Sequence, residues 1–440
     1  MNKHQLFFYG WNIVAVGIVI QSLGYTTRYS FSVIFPALLD DFQWARDVTA
    51  IMLSVNLLVY GVVAPIAGGL VDSIGPRKTM LSGATLLASG LALSAWASEP
   101  WHFYLSFGVL TAVGLCFMGT VPFTSVLRNW FDRKRGLAFS LMFLGTGGAF
   151  ASYPAIAFMI DSAGWRNTFL LETAAVVVIT LPLIAIFVRY HPREKNLISD
   201  GLEAKKTLSS SSNIATVQIT DPAPTDWTLT RAMRTTRFWM LCLTSFCLFG
   251  LGEHIVIAHH VAFSIDAGYS GIYAASVLAL FGVMFTCGSF AGLVSDWIGR
   301  EITLTLGTLS CISAIAVIML MGDTSQPWML YYYAIAFGFG IGVSAPTIVA
   351  SVTDIFQGPK AGALIGFVWS SFAVGGAIGP WLGGFIFESY HSYLPAFILA
   401  IASFAIAGVA IWLAAPRKVR PVPGYARMRA WRAKPEGSHS

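Results

Sequence analysis

The chain has 440 residues, of which 56% are hydrophobic and only 11% are charged, and its mean hydropathy is +0.68. This composition excludes an ordinary soluble globular protein and indicates a polytopic membrane protein. The net charge of +6 is no sign of nucleic-acid binding, because the basic residues concentrate in particular loops and in the tail. All five cysteines fall within apolar runs without metal-ligand spacing. We therefore expect no disulfide framework, no metal site and no cofactor.

Apolar runs of about 20 residues predict twelve membrane-spanning helices. They cover residues 11–38, 47–71, 79–97, 102–127, 136–161, 167–189, 237–264, 271–295, 301–321, 327–353, 361–387 and 394–415. The first run has no small-residue cleavage site, so we interpret it as a retained span. The polar segment between spans six and seven is rich in Ser, Thr and Pro, which is typical of a linker. The predicted domains are an N-terminal six-helix bundle (1–190), a cytoplasmic linker (191–235), a C-terminal six-helix bundle (236–415) and a basic cytoplasmic tail (416–440).

The distribution of Lys and Arg predicts the orientation of the chain in the membrane. With the N-terminus inside, 24 of the 27 basic residues lie in cytoplasmic segments, whereas Arg46 and Arg166 lie in external loops and Arg28 lies within span one. This bias predicts that both termini are cytoplasmic. The short loops favour a prokaryotic cell (inner) membrane. We expect a lipid-embedded monomer that binds no nucleic acid.

An internal repeat divides the spans into two sets of six. The segment GLVDSIG (69–75) after span two recurs as GLVSDWIG (292–299) after span eight, and Asp72 and Asp296 are 224 residues apart. Glycine and proline landmarks of spans four and five recur in spans ten and eleven at offsets of 224–228 residues. Duplicated halves with a site at their interface are a transporter architecture.

Two sequence blocks resemble a known transporter family. The segment GGLVDSIGPRK (68–78) is similar to the signature of the major facilitator superfamily between spans two and three. The block NWFDRKRGLAFSLMFLGTGGA (129–149) resembles the fifth-span signature of the monocarboxylate transporters and the related oxalate:formate exchangers, and GWRNTF (164–169) fits that branch too. The resemblance implies an all-α fold of two pseudo-symmetric six-helix bundles. It also implies that spans one, four, seven and ten line the path of a small carboxylate.

The chain departs from this branch at the positions that carry charge. The monocarboxylate carriers have an Asp and an Arg in span eight, and the aligned positions here are Met284 and Gly288. Their first-span lysine aligns with Tyr29, one residue after Arg28. Two interpretations stay open: Arg28 replaces these groups, or the substrate is not a simple carboxylate.

Arg28 lies about midway along the apolar run of span one. An arginine at the centre of an inserting helix costs roughly 2.5–3.5 kcal/mol, so such a residue usually faces a wet cavity or a partner. Gln21, Tyr25, Arg28 and Ser32 follow one another at helical spacing and share one face. We predict that Arg28, Tyr25, Gln21 and the neighbouring Tyr29 bind the substrate. The alternatives are an arginine that snorkels to the interface and polar side chains that bond between helices.

Span seven contains the other polar cluster, FGLGEHIVIAHHVAF (249–263). The repeat offset places the counterpart of Arg28 next to Glu253 and His254. We predict His254 as a substrate ligand, and Glu253, His254 and His259 as the residues of proton coupling. The alternative is that the histidines are hydrogen-bonded packing residues.

The two copies of the signature predict gate residues, namely Asp72 and Arg77 after span two, and Asp296 and Arg300 after span eight. By analogy with the family, Asp72 lies near the start of span eleven, where a helix N-terminus carries partial positive charge. The alternative is that these charges only set the topology. The sequence has no phosphate-binding loop, so transport driven directly by ATP is not expected, nor is an enzyme activity.

These features favour a secondary active transporter of a small organic anion, in particular a monocarboxylate. The mechanism would be alternating access with H⁺ symport or anion exchange. One alternative is an exporter of amphipathic or drug-like molecules, which the aromatic-rich spans would allow. Another is a membrane sensor that binds a ligand without moving it and signals through the linker or the tail.

Overall fold

The fold is described from a computed structural model, which covers residues 8–131, 135–195, 227–356 and 361–419. All regular structure within these ranges is helical, as the sequence predicts. Most of the predicted linker and tail, residues 196–226 and 420–440, lie outside the described residues.

The helices follow the predicted spans closely in both halves of the chain. In the first half they are Gly10–Tyr29, Phe31–Phe42, Arg46–Ile74, Pro76–Ala95, Pro100–Phe103, Tyr104–Leu110, Thr111–Met118, Thr120–Trp130, Arg135–Phe150, Tyr153–Ala175, Val176–Thr180, Leu181–Phe187 and Pro192–Lys195. In the second half they are Leu229–Met233, Thr236–Ser245, Phe246–Glu253, His254–Asp266, Gly271–Ala291, Gly292–Val294, Ser295–Ile298, Arg300–Ile318, Trp328–Ile355, Ala361–Tyr390, Leu394–Ala414 and Pro416–Lys418.

Nine helical segments in the described ranges are long and apolar enough to cross a membrane. Three local features account for the difference from the twelve predicted spans. Span one is divided at Ser30 into two shorter helices, and span three, Pro76–Ala95, is not among the nine. Spans five and six run together as one segment, Leu144–Phe187, which turns sharply at Gly164, where φ is +81°.

The internal repeat is visible in the backbone of the two signature loops. Gly75 has φ 85° and ψ 156°, and Gly299 has φ 101° and ψ 151°. A positive φ of this kind favours glycine because a Cβ atom would be strained there. Each glycine ends one span and lies directly before the first residue of the next helix. The same conformation at positions 224 residues apart supports the duplication.

Glycines also set the close packing of matching helix pairs. A Cβ atom added at Gly114 would lie 2.7 Å from the backbone oxygen of Gly83, which brings spans three and four into backbone contact. A Cβ atom added at Gly340 would lie 2.5 Å from the backbone oxygen of Gly307, in spans ten and nine. Small residues of this kind allow helices in a membrane to approach closely.

The chain divides into two compact units. The first comprises Met1–Thr220, Ile257–Gly282 and Pro380–Ser392, and the second comprises Asp221–Val256, Val283–Gly379 and Tyr393–Ser440. The first unit therefore includes, besides the first six spans, one end of each of spans seven, eight and eleven. The domain boundaries proposed from the sequence stay a prediction.

Candidate functional site

Arg28 is buried inside the first unit, with an exposed fraction of 2%. Its Nε donates a hydrogen bond to Oδ1 of Asn56 at 3.0 Å. The Nδ2 of Asn56 donates in turn to the backbone oxygen of Phe107 and to Oγ1 of Thr111, each at 2.8 Å. Phe107 lies in a π-helical stretch, Tyr104–Leu110, a type of distortion that is frequent at functional sites. Asn56 is thus held in the orientation that presents its oxygen to Arg28.

The rest of the guanidinium group contacts aromatic rings, and it has no acidic partner in the part of the chain that the structure describes. Its carbon lies 4.2 Å from the ring centroid of Tyr60 and 5.9 Å from that of Tyr25, distances at which a ring face attracts a cation. Its Nη2 is buried without a hydrogen-bond acceptor, and no carboxylate in the described ranges pairs with it. A buried charge without a counter-ion is costly. This geometry does not fit an arginine that snorkels to the membrane surface.

A small cavity of about 10 Å³, room for about one water molecule, lies beside this guanidinium. It is lined by Gln21, Gly24, Tyr25, Arg28, Tyr60, Leu115, Met118 and Gly119. Three of the four polar residues predicted to share a face of span one therefore line one cavity. Ser32 does not line the cavity; it lies on the helix after the break, and its hydroxyl donates to the backbone oxygen of Tyr29 at 2.9 Å. The Nε2 of Gln21 donates to Oγ1 of Thr120 at 2.8 Å.

Tyr29 is absent from the cavity lining. Its ring stacks on Tyr25 at 6.1 Å and on Phe150 at 5.5 Å between centroids, so it supports the wall behind Tyr25. Asn56 and Tyr60 were not predicted from the sequence as residues of this site. Their spacing of four residues in an otherwise apolar span places them on one helical face, and this signal could have identified them.

The second unit leaves no room for a larger side chain at Gly288, the position that the sequence resemblance compares with an arginine. Gly288 packs against the backbone of span ten. A Cβ atom there would lie 2.4 Å from the backbone oxygen of Phe339 and 2.9 Å from the backbone nitrogen of Val343. An arginine side chain cannot occupy this position without moving the two helices apart.

Glu253 and His254 are both buried in the second unit, and their side chains have different surroundings. His254 contacts the backbone oxygen of Phe249 through Nδ1 at 2.7 Å, and its ring lies 5.4 Å from that of Phe372 in span eleven. Glu253 interacts electrostatically with Cys311 of span nine and Tyr333 of span ten. The two adjacent residues thus face different helices, as expected for a helical turn of about 100° per residue.

His259 belongs to the first unit and is fully buried. Its Nε2 lies 2.8 Å from the backbone oxygen of Pro380 in span eleven. Its ring meets that of Phe35 edge to face at 5.4 Å, and a Cβ atom at Gly383 would lie 2.6 Å from the imidazole. The described contacts of His259 are therefore packing contacts among spans one, seven and eleven.

A group that we call the Arg46 clamp ties the start of span two to the ends of spans seven and eleven. The guanidinium of Arg46 binds the Asp266 carboxylate at 2.7 and 2.9 Å and lies 3.9 Å from the ring centroid of Phe387. The backbone N–H of Arg46 donates to Oε1 of Glu388 at 2.6 Å. Glu388 thereby places a negative charge at the N-terminus of the span-two helix, where it is favourable. A Cβ atom at Gly384 would lie 2.8 Å from the Arg46 backbone, so this approach requires glycine.

The predicted gate residues differ between the two copies of the signature. In the second unit, Arg300 pairs with Asp296 at 2.7 Å and with Asp354 at 2.9 Å, and it also donates to Ser295. Asp354 was not predicted. In the first unit, Asp72 is exposed and bonds to no residue in the described ranges, whereas Arg77 donates to the backbone oxygen of Ala185. The predicted contact of Asp72 with the start of span eleven stays a prediction.

Comparisons with known proteins agree with this architecture. A profile of the Major Facilitator Superfamily matches residues 17–348 and 312–434. The chain is 25% identical to monocarboxylate transporter 11 of Mus musculus over 420 residues, which covers 93% of this chain and 88% of that protein. It is 24% identical to monocarboxylate transporter 13 of Rattus norvegicus, over 93% and 89% of the two chains. It is 23% identical to the uncharacterized MFS-type transporter YcxA of Bacillus subtilis (strain 168), over 83% and 86%.

Two arginine substitutions test whether Arg28 is held for function rather than for stability. We expect Arg28→Met to leave the thermal unfolding temperature in detergent unchanged or higher, because it removes a buried charge that has no counter-ion. Arg300→Met, the matched variant, removes the ion pairs with Asp354 and Asp296 and is expected to destabilise the protein by about 1–3 kcal/mol. If Arg28→Met destabilised the protein as much as Arg300→Met, Arg28 would be a structural residue.

Proposed function

We infer that this chain, which belongs to the Major Facilitator Superfamily, is a secondary active transporter of a small monocarboxylate. Membership is shown by the profile match over most of the chain, and the all-α fold expected for the superfamily is confirmed. The protein is an integral membrane transport protein related to monocarboxylate transporters. The anion as substrate, its coupling to H⁺ or to a counter-anion, and the inner cell membrane with both termini cytoplasmic are parts of the proposal.

The observation that carries the proposal is the unpaired guanidinium of Arg28 beside a cavity. Guanidinium suits planar, bidentate recognition of a carboxylate, and Nη2 has no acceptor of its own. Leu115 and Met118 form an apolar wall of the same cavity, which suits a short hydrocarbon group. With room for about one water molecule, the cavity has to widen before an anion enters. Binding is therefore proposed to select a more open conformation of the site.

The residues of span seven complete the proposed mechanism. Glu253 is proposed to carry a proton in the second unit, and His254 to contact the substrate during passage. A proton or an exchanged anion would offset the charge of the carboxylate as it crosses the membrane. His259 is proposed to respond to the same step through its contact with Pro380.

Two sets of charged contacts are proposed as the gates of alternating access. The Arg46 clamp is proposed to close the external side, because it joins separate spans through one side chain. Asp72 and Arg77, with Asp296 and Arg300, are proposed to belong to the cytoplasmic gate. Asp72 is exposed, so it is available for the helix N-terminus that the family analogy assigns to it.

Anion uptake into proteoliposomes tests the role of Arg28. We expect accumulation of at least one of acetate, pyruvate, L-lactate and benzoate under an inward pH gradient. Arg28→Ala should weaken anion binding by about 30-fold or more, because truncating one partner of a buried charge pair costs about 2 kcal/mol or more. Asn56→Asp should have a similar effect, since the new carboxylate would occupy the guanidinium. Arg166→Gln, which removes a half-exposed arginine paired with Asp41, is the control.

The same assay separates the alternatives. Undiminished uptake in Arg28→Ala would remove the anion-anchor proposal. An exporter of amphipathic compounds predicts that neutral aromatic solutes move and that Arg28 has no effect. A sensor predicts tight anion binding without flux.

The accessibility of a buried position tests the Arg46 clamp as the external gate. The Ser54 hydroxyl accepts a hydrogen bond from the backbone N–H of Trp381 at 3.2 Å and lies two helical turns beyond Arg46. In a Cys287→Ser background, a cysteine at position 54 should react with an impermeant external maleimide about tenfold faster when Arg46→Gln is added. That ratio corresponds to removal of about 1.4 kcal/mol from the closed state.

Arg166→Gln is the matched control for this measurement. Arg166 also pairs with an acid at the predicted external side, and its hydrogen bond, with that of Trp165, lowers the pKa of Asp41. This pair does not involve span two, seven or eleven, so the labelling rate should not change. Equal labelling in the parent and in Arg46→Gln would show that the clamp is no gate.

A further inference from the structure

Glu172 in span six is a buried acid to which the proposed mechanism assigns no role. Its exposed fraction is 5%, and neither carboxyl oxygen has a hydrogen-bond partner among the described residues. The Ser30 hydroxyl, at the break of span one, is within reach of the Glu172 carboxyl group, but its single hydrogen is donated to the backbone oxygen of Thr27 at 3.2 Å. An ionised carboxylate in such a place lacks compensation.

The groups around Glu172 offer it no counter-charge. Tyr153 of span five is its titratable neighbour, and the Tyr153 hydroxyl is likewise buried without a partner among the described residues. Span three packs against the same helix and has no titratable side chain in residues 79–98. On span four, Tyr104 donates to the backbone oxygen of Val48 at 3.0 Å. No arginine or lysine in the described ranges pairs with Glu172.

A row of packed aromatic rings leads from Tyr153, which interacts electrostatically with Glu172, to the cavity of Arg28. The ring of Tyr153 lies 5.1 Å from that of Phe150, and Phe150 stacks on Tyr29 at 5.5 Å between centroids. Tyr29 stacks on Tyr25 with an interplanar angle of 11°, and Tyr25 lines the cavity. All of these residues belong to the first unit. The acid and the guanidinium thus belong to one compact body, in which packed aromatic side chains extend from Tyr153 to the cavity.

We propose that Glu172 is a proton-binding site whose protonation is linked to anion binding at Arg28; this inference rests on the proposed function. An ionised Glu172 would place a second negative charge in the same low-dielectric bundle and oppose the entry of a carboxylate. Proton binding removes that charge, and by linkage the bound anion increases the affinity of Glu172 for its proton. The proton on Glu172 then enters together with the monocarboxylate, offsets its negative charge, and leaves with it on the other side.

Infrared spectroscopy of the purified protein tests the proton site without any substrate. We expect wild type at neutral pH to show a protonated carboxyl C=O absorption, part of which disappears in Glu172→Gln. Asp161→Asn, which removes an exposed acid from the helix that also contains Glu172, should leave the absorption intact. An unchanged absorption in Glu172→Gln would show that Glu172 is ionised and would overturn the proposal.

Transport of the same four anions tests the linkage. Glu172→Gln should retain exchange of internal for external anion but lose accumulation driven by the pH gradient, whereas Glu172→Asp should retain both. Accumulation at the wild-type level in Glu172→Gln would overturn the linkage. An equal loss of accumulation in Glu172→Asp and Glu172→Gln would overturn it as well. If wild type moves none of the four anions, the proposed function fails and the linkage with it, while the infrared result still decides on the proton site.

Discussion

The structure depends on one constraint, which is that a guanidinium group is held inside a membrane bundle without a carboxylate partner among the described residues. The described contacts of Arg28 are an amide oxygen and two aromatic faces. These contacts orient the charge and lower its cost, but they do not cancel it. An arrangement of this kind is unfavourable as pure scaffold and favourable as a receptor for an anion. The polar network of Asn56, Phe107 and Thr111 is best understood as the support of that charge.

The charges near the ends of the spans are arranged differently in the two halves. The second copy of the signature satisfies Arg300 with two aspartates, whereas the corresponding Asp72 of the first copy is exposed. The Arg46 clamp is formed at the same time, through Asp266, Phe387 and Glu388. Within the first unit, therefore, one set of charged contacts is made while the signature acid at the other end of span two is unpaired among the described residues. A transporter that exchanges such contacts in turn would move its site from one side of the membrane to the other.

Much of the fold and part of the site could be predicted from the sequence, because membrane-spanning helices have a distinctly apolar composition. The spans, the repeat and the face shared by Gln21, Tyr25 and Arg28 follow from hydropathy and helical spacing. The division of span one at Ser30 was not predictable, since the local sequence contains neither glycine nor proline at that point. Asn56 and Tyr60 were not predicted, because the sequence of span one does not show that span two supplies the partners of Arg28.

Ion pairs between residues that are far apart in the chain could not be predicted from the sequence for a related reason. Arg46 and Asp266 are 220 residues apart. In the sequence each looks like an ordinary charged loop residue, and only the packing of the helices brings the two together. Glu172 is an acid within an apolar run, and the sequence alone does not show that its neighbours leave it unpaired. The close packing of Gly288 against the backbone of Phe339 likewise could not be predicted from the sequence.

The most direct measurement is the position of a bound carboxylate relative to Arg28. Crystals of the protein soaked with 3-bromobenzoate would place the bromine by its anomalous scattering and the carboxylate by the adjoining density. The account predicts a carboxylate within about 4 Å of the Arg28 guanidinium, with its ring toward Leu115 and Met118. Specific density elsewhere, with the Arg28 cavity still closed, would contradict the claim that this cation is the anion receptor.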